Sequence, residues 1–215
     1  MELSICNFDL KLLPEKAIYI KQFNSLLVSD IHLGKSETFQ QAGIPIPNSI
    51  NAQTLDRLQK LCSQLQPDHL FILGDLFHSR FALVDEVLDS WLNFLNGVKI
   101  GVTLIIGNHD RYLTQQLDTL SIHYSIHKIQ IDDLILSHEP SPQTDCLNIC
   151  GHIHPCLKIK TKLDSLRLPC FYFNKTQNLL ILPSFGEFTG GYEMELTSNS
   201  TAYVIAEDAI VPFQG

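Results

Sequence analysis

Short apolar runs that stop abruptly at a polar residue organise this chain. Ser25-Leu-Leu-Val-Ser-Asp30 is a compact apolar stretch closed by an acid, the pattern of a buried β-strand ending at a site. Leu70-Phe-Ile-Leu-Gly-Asp75 repeats it, and Lys99 to Ile106 predicts a third strand that stops at Gly107-Asn108-His109. Helical periods lie between these runs. Residues 51–65 place Leu55, Leu58, Leu61, Cys62 and Leu65 on one face, with Ser49 or Asn51 as the N-cap. Residues 82–96 predict a second amphipathic helix, with Gly97 as its stop signal. Pro45 and Pro47 mark the stretch from Ala42 to Ser49 as a loop.

The second half changes character. Short strand candidates follow one another at 127–131, 133–138, 147–151, 156–161, 168–173, 178–183 and 200–206, and helix signals are sparse. Two packed sheets with helices on the outer faces fit this order of elements. No repeat, low-complexity tract or linker divides the chain, so residues 1–215 are expected to form one domain. Hydrophobic residues make up 45% of it, enough for a sizeable core. No segment approaches the ~18 apolar residues of a membrane span. Met1 to Leu10 lacks the basic-then-apolar block of a signal peptide, and a soluble, cytoplasmic protein is expected.

The formal charge of −8 argues against a broad grip on duplex DNA, which uses a basic surface. Lys158-Ile-Lys160-Thr-Lys162 is the main basic cluster. Six cysteines are scattered through a chain large enough for its own core, so disulfides are not expected. Cys146, Cys150 and Cys156 crowd the last histidine motif, but their spacing is not that of structural zinc, and small buried strand residues are the better reading.

Chemistry concentrates in five motifs in a fixed order: Asp30-Ile-His32, Gly74-Asp75, Gly107-Asn108-His109-Asp110, Ser137-His138 and Gly151-His152-Ile-His154. Divalent ions such as Mn²⁺, Fe²⁺ and Zn²⁺ accept imidazole nitrogen and carboxylate oxygen. On an extended strand end, residues i and i+2 point the same way, so Asp30 with His32, and His152 with His154, can each reach one site. Each fragment alone is weak; the five together supply enough ligands for two adjacent ions, the equipment for hydrolysing a phosphate ester. His69, His123 and His127 fall outside the motifs and read as structural or exposed.

The ordered set resembles the calcineurin-like metallophosphoesterases, whose pattern is D-x-H, G-D, G-N-H-[DE], H and G-H-x-H. That resemblance implies an α/β (α+β) fold, a four-layer α/β/β/α sandwich. It implies a first metal on Asp30, His32 and His154, a second on Asn108, His138 and His152, and Asp75 bridging them. Mn is the first choice of metal, with Fe, Zn or Ni as others. A narrower likeness runs through Asp30-Ile-His-Leu-Gly-Lys35, Ala42-Gly-Ile-Pro-Ile-Pro47, Gly74-Asp-Leu-Phe-His-Ser-Arg80, Gly107-Asn-His-Asp-Arg111, Arg167-Leu-Pro-Cys-Phe171 and Leu182-Pro-Ser-Phe-Gly-Glu-Phe-Thr-Gly-Gly191. These segments are similar to the ligase-associated DNA damage response endonucleases of the PdeM group. That likeness implies a DNA substrate and an association with DNA ligase and helicase.

In this reading His109 protonates the leaving group, and Asp110 either orients His109 or faces away and caps a turn. Arg80, Arg111, Lys35 and His78 are candidates for gripping further phosphates, against a reading as ordinary surface charge. The Phe185–Gly191 segment either lies over the site or is a turn packing the edge, and Phe185 and Phe188 either stack a base or fill the core. The leading expectation is a phosphodiesterase or nuclease; a nucleotide or cyclic-nucleotide hydrolase or a phosphatase is the alternative. A scaffold without catalysis is disfavoured because every ligand position is filled.

Overall fold

The structure, a computed structural model, describes residues 1–215 except 42, 45–48, 118–119, 121, 161–163 and 188, and side chains 49, 114 and 115 are also outside the description. The chain opens on an antiparallel meander of β1 (Glu2–Ile5), β2 (Phe8–Leu13), β3 (Ala17–Ile20) and β4 (Ser25–Val28). Three strands then extend this sheet parallel to β4: β5 (His69–Ile72), β6 (Gly101–Ile105) and β7 (His123–Ser125). The crossovers carry α1 (Lys35–Gln41), α2 (Ser49–Leu65), α3 (Asp85–Val98) and α4 (Thr114–Leu117). The parallel unit needs such crossovers, because adjacent parallel strands cannot be joined by a tight turn.

The second sheet runs in the order β14-β11-β12-β13-β10-β9-β8. Its members are β8 (Ile129–Ile131), β9 (Leu134–Ser137), β10 (Leu147–Cys150), β11 (Pro155–Lys160), β12 (Ser165–Asn174), β13 (Leu179–Ile181) and β14 (Tyr192–Glu193). A hairpin of β15 (Ser200–Ala206) and β16 (Ala209–Gln214) pairs with β12. β9, β10 and β13 are mutually parallel, so each sheet contains a parallel core.

Period-two alternation assigns the faces. Leu26, Val28, Leu70, Ile72, Val102 and Leu104 face α2 and α3, whose Leu55, Leu58, Leu61, Val87, Trp91 and Phe94 complete that layer. The opposite face, with Leu10, Leu12, Ile18 and Leu27, packs on Leu134, Leu136, Leu147, Ile149, Phe171 and Leu180 of the second sheet. The expected mixed α/β sandwich of two sheets is therefore what forms. Its helices serve the first sheet: among the described residues none follows Ser125, so the second outer helical layer has no counterpart there. The outer side of the second sheet instead gathers Cys150, Leu157, Cys170, Tyr172, Ile181 and Val204 into a cluster of its own. No helix among the described residues is long and apolar enough to cross a membrane.

Two expected helix signals are corrected. Asn51 is not a cap: it sits inside α2, where its Oδ1 accepts from Gly34 N at 3.0 Å and its Nδ2 donates to Glu37. Gly97 does not stop α3. The helix runs through it to Val98, and Lys99 in the left-handed conformation (φ 51°) makes the cap. A Cβ on Gly97 would lie 2.9 Å from Gln59 Nε2, so the glycine lets α3 approach α2. The loop expected around Pro45 and Pro47 lies largely outside the described residues.

The obstacle at Gly97 is the free end of a flexible side chain, whereas glycine within a helix costs about 1 kcal/mol relative to alanine. Gly97→Ala is accordingly expected to raise the melting temperature by roughly 2–4 °C. A fall measured by calorimetry would show that Gln59 cannot move aside.

Candidate metal centre

All five motifs follow the C-terminal ends of parallel strands: β4, β5 and β6 in the first sheet, β9 and β10 in the second. The expected strand-like alternation within Asp30-Ile-His32 and His152-Ile-His154 is not how these pairs converge. Asp30 (φ 54°), His32 (φ 53°), Asp75 (φ 53°), His152 (φ 68°) and His154 (φ 53°) all hold left-handed backbone conformations just past the strands. Asp and His tolerate this region better than most residues, yet it still costs of order 1–3 kcal/mol where it persists. Backbone hydrogen bonds between neighbouring loops hold it in place: Asp30 N donates to Gly74 O at 3.0 Å and His32 N to Asp75 O at 2.9 Å.

The two aspartates are built alike. Asp30 Oδ2 accepts from His152 N at 2.9 Å, while Oδ1 lies 3.1 Å from His154 Nε2. Asp75 Oδ1 accepts from His109 N at 2.9 Å, while Oδ2 lies 3.6 Å from His138 Nε2. One oxygen anchors each carboxylate to the opposite loop, and the other faces the cluster. The ligand-capable atoms form three adjoining groups, Asp30-His32-His154, Asp75-His138-His152 and His32-Asp75-His109, each with its atoms within 4.8 Å of one another. Asn108 Oδ1 joins the second group at 3.0 Å from both His138 Nε2 and His152 Nδ1, which are themselves 3.1 Å apart.

These atoms are arranged for a cation. His138 Nδ1 meets the Leu73 carbonyl at 2.9 Å, so Nδ1 carries the proton and Nε2 presents a lone pair. That lone pair faces the Asn108 oxygen and the His152 nitrogen. One proton can satisfy only part of this triangle, whereas a divalent cation satisfies all three donors. His154 is oriented the same way by Gly190 O, 3.2 Å from its Nδ1. An imidazole whose second nitrogen is fixed on a carbonyl is the usual support of a metal-bound histidine. Asp30 Oδ1 and His32 Nδ1 are buried and take no hydrogen bond from the described residues. Burial drives His32 down to about 3 against the pull of Asp30, leaving a neutral ring with a free lone pair. Burial would raise Asp30, but the His154 ring facing its Oδ1, when protonated, outweighs this and holds the carboxyl below its usual value.

The motif glycines supply room. A Cβ on Gly74 would strike the His138 ring, one on Gly107 the Asp75 carboxylate, and one on Gly151 the Asp30 carboxylate and Ser29. Each glycine is thus the floor under a candidate ligand from another motif. Of the two readings of Asp110, the structure shows the one that faces away from the His109 ring and binds backbone. Its buried carboxylate accepts from Gly107 N at 3.1 Å, Phe77 N at 3.2 Å and Leu76 N at 3.4 Å, tying the β5 and β6 loops together. Burial, then the Asp75 charge, pushes it up to about 6.

Sequence reasoning missed a further support. Ser184 Oγ donates to Asp30 O at 2.8 Å, Phe185 N to Ser29 O at 2.8 Å and Gly186 N to Asp30 O at 3.0 Å. Arg57 of α2 clamps this strap by binding Phe185 O and Glu187, with its guanidinium 4.3 Å from the Phe185 ring centre. Nothing in the sequence pairs Arg57 with residues some 130 positions away. The glycine-rich run at 185–191 was the available signal for the strap.

The calcineurin-like phosphoesterase family model matches residues 23–178. The chain belongs to the calcineurin-like phosphoesterase family. A solved structure similar to it is that of the Pseudomonas putida nuclease MPE, with a TM-score of 0.84, 32% sequence identity and 99% of each chain covered. Comparison with curated proteins gives no match. Calcineurin-like phosphoesterases are hydrolases of phosphoester bonds that use a dinuclear divalent metal centre, and the His/Asp groups above hold the candidate ligands for it here.

Around such a phosphoesterase centre, the four candidate phosphate-binding residues separate. His78 belongs to the cluster: its ring stacks on His109 at 5.3 Å and meets His32 edge-on at 5.3 Å. Burial, with Lys35 and His109 nearby, lowers it to about 4. Lys35 begins α1, half-buried, with Nζ 5.9 Å from the Phe39 ring. Arg80 is exposed and lies over Phe81 at 4.8 Å, and Arg111 pairs with Glu139 at 3.1 Å, so both already have partners. Phe185 is fully buried, which removes it from base stacking, and Phe188 lies outside the described residues. Cys146, Cys150 and Cys156 are buried free thiols and join no ligand group among the described residues.

Replacing Asp110 by Asn would turn a three-fold acceptor into a group that presents an N–H to other N–H groups. The expected loss of stability is about 1–3 kcal/mol, read by urea unfolding. An unchanged midpoint would show that the β5 and β6 loops do not depend on this carboxylate.

Proposed function

We propose that this chain is a metal-dependent phosphodiesterase acting on nucleic acid. Asp30, His32 and His154 would hold one divalent ion and Asn108, His138 and His152 a second, with Asp75 as a candidate ligand for both. The observation that carries this reading is the triangle of Asn108, His138 and His152, whose donors face one another within 3.1 Å. Bound ions would supply Lewis acidity at the phosphoryl group and lower the pKa of a nucleophilic water. A donor set mixing imidazole with oxygen suits Mn, Fe, Ni or Zn, and Mn is the first choice.

His109 is assigned the proton transfer to the leaving oxygen. Its backbone N–H is committed to Asp75, but its side chain is 37% exposed and lies against His32 at 5.1 Å between ring centres. An open imidazole beside the centre can reach a substrate oxygen while His78 stacks behind it. Nucleic acid is favoured because the similar Pseudomonas putida structure is that of a nuclease. The sequence likeness to the PdeM group supports a role in DNA repair beside a ligase and a helicase. Six free cysteines fit a reducing compartment such as the cytoplasm. The net charge of −8 favours the second reading, a small-molecule phosphodiesterase or phosphatase.

The test runs Mn²⁺-loaded protein on bis-p-nitrophenyl phosphate, p-nitrophenyl phosphate, single-stranded DNA and duplex DNA, with Asp75→Ala as the control. Diester and DNA cleavage that EDTA removes and Mn²⁺ restores is the expected result. Cleavage of the small diester with intact DNA would shift the substrate to a small molecule. His109→Ala should cut turnover by about 10²–10⁴-fold while two ions per chain remain bound by elemental analysis. Full activity in that variant would remove its acid role.

A further inference from the structure

Two segments singled out in the sequence, Arg167–Phe171 and Leu182–Gly191, supply none of the candidate metal ligands, yet described residues of each, among them Arg167, Pro169, Pro183 and Glu187, line one cleft of about 230 Å³. The cleft opens against His154, and its walls include Lys16, Arg167, Pro183, Glu187 and Thr189. We propose that it is a subsite for the phosphate next to the scissile one in a polynucleotide, with Arg167 as its main cation. This rests on the phosphodiesterase reading above.

Charge is the first argument. Glu187 is the one carboxylate lining the cleft, and it is shared by two cations: Lys16 Nζ lies 3.5 Å from its Oε1, and Arg57 binds the same oxygen. Arg167 is the surplus positive charge. It is exposed and has no carboxylate partner among the described residues. Its Nη2 is held by Gly191 O at 2.5 Å and Cys156 Sγ at 3.5 Å, which fixes the guanidinium plane. Arg111, on the groove beside His138, differs in being closed onto Glu139 at 3.1 Å. A fixed, unneutralised guanidinium is the donor suited to a phosphate.

Continuity is the second argument. His154 is both a wall of the cleft and a member of the first ligand group. A chain whose scissile phosphate lies at the centre therefore carries its next group past His154 into the cleft. Pro155, Pro169 and Pro183 offer apolar surface to the sugar and base. Small aryl diesters and dinucleotides have no second phosphate to place there.

The test compares kcat/KM for a thymidine dinucleotide and trinucleotide, and measures binding of the labelled trinucleotide by anisotropy with Ca²⁺ replacing Mn²⁺. The native protein is expected to favour the longer substrate by about tenfold, and Arg167→Gln to remove that preference in both assays. Arg167→Lys should restore part of it, because the cation returns without the fork. Lys60→Gln, on the exposed face of α2, should leave the length preference unchanged. A preference that survives in Arg167→Gln, or that is absent from the native protein in both assays, overturns the subsite. Arg167-dependent binding without any hydrolysis would keep the subsite and overturn the phosphodiesterase reading. Hydrolysis without a length preference in either assay would do the reverse.

Discussion

The candidate centre depends on a single constraint: five candidate ligand residues must hold positive φ immediately after buried strands. A regular strand would send alternate side chains to opposite faces, and a helix would carry them away from the strand ends. The left-handed step turns Asp30, His32, Asp75, His152 and His154 back toward one another. This conformation is unfavourable in isolation and persists because neighbouring loops bind each other's backbone. The carboxylates complete the lattice, since each gives one oxygen to the N–H of another loop. Ligand placement and loop structure are thus the same set of hydrogen bonds.

The parallel strands and their crossover helices were legible because the first sheet's central strands are buried on both faces and read as continuous apolar runs. β4, β5 and β6 and helices α2 and α3 fall close to their expected positions. The N-terminal strands were not foreseen. Phe8-Asp-Leu-Lys-Leu-Leu13 alternates with charges over only six residues, and its turns use Cys6, Asn7 and Lys16 at positive φ where glycine would have been the signal. The site was legible as a list of residues, because strand ends followed by Asp, Asn and His are visible in one dimension. Its geometry was not. The motif could not tell whether Asp110 orients His109 or faces away; in the fold it is spent on three backbone N–H groups. Arg57 carried no signal, since its partners lie far along the chain and its helix gave no reason to expect an inward guanidinium.

The arginines show how little residue type decides without surroundings. Arg57 is consumed in holding the Phe185–Glu187 strap, and Arg111 is consumed by Glu139. Arg80 lies over a neighbouring ring. Arg167 is anchored at one nitrogen and open otherwise. Proximity to a motif in the sequence pointed alike at Arg80, Arg111, Lys35 and His78; in the fold His78 joins the histidine cluster with Lys35 nearby, while Arg80 and Arg111 are engaged by Phe81 and Glu139.

Two of the ligand groups straddle the two sheets. Asp30 and His32 come from the first sheet and His154 from the second; Asp75 and Asn108 come from the first, His138 and His152 from the second. Away from the ligand groups these halves meet through apolar packing, with the Ser184–Gly186 strap adding hydrogen bonds to Ser29 and Asp30. An ion at either position would act as a rivet with fixed bond lengths and angles, setting the register of one sheet against the other. Metal supply would then govern how rigid the sandwich is as well as whether it turns over. A cell short of the right ion would hold a looser protein, one more exposed to proteolysis, and not merely an idle one.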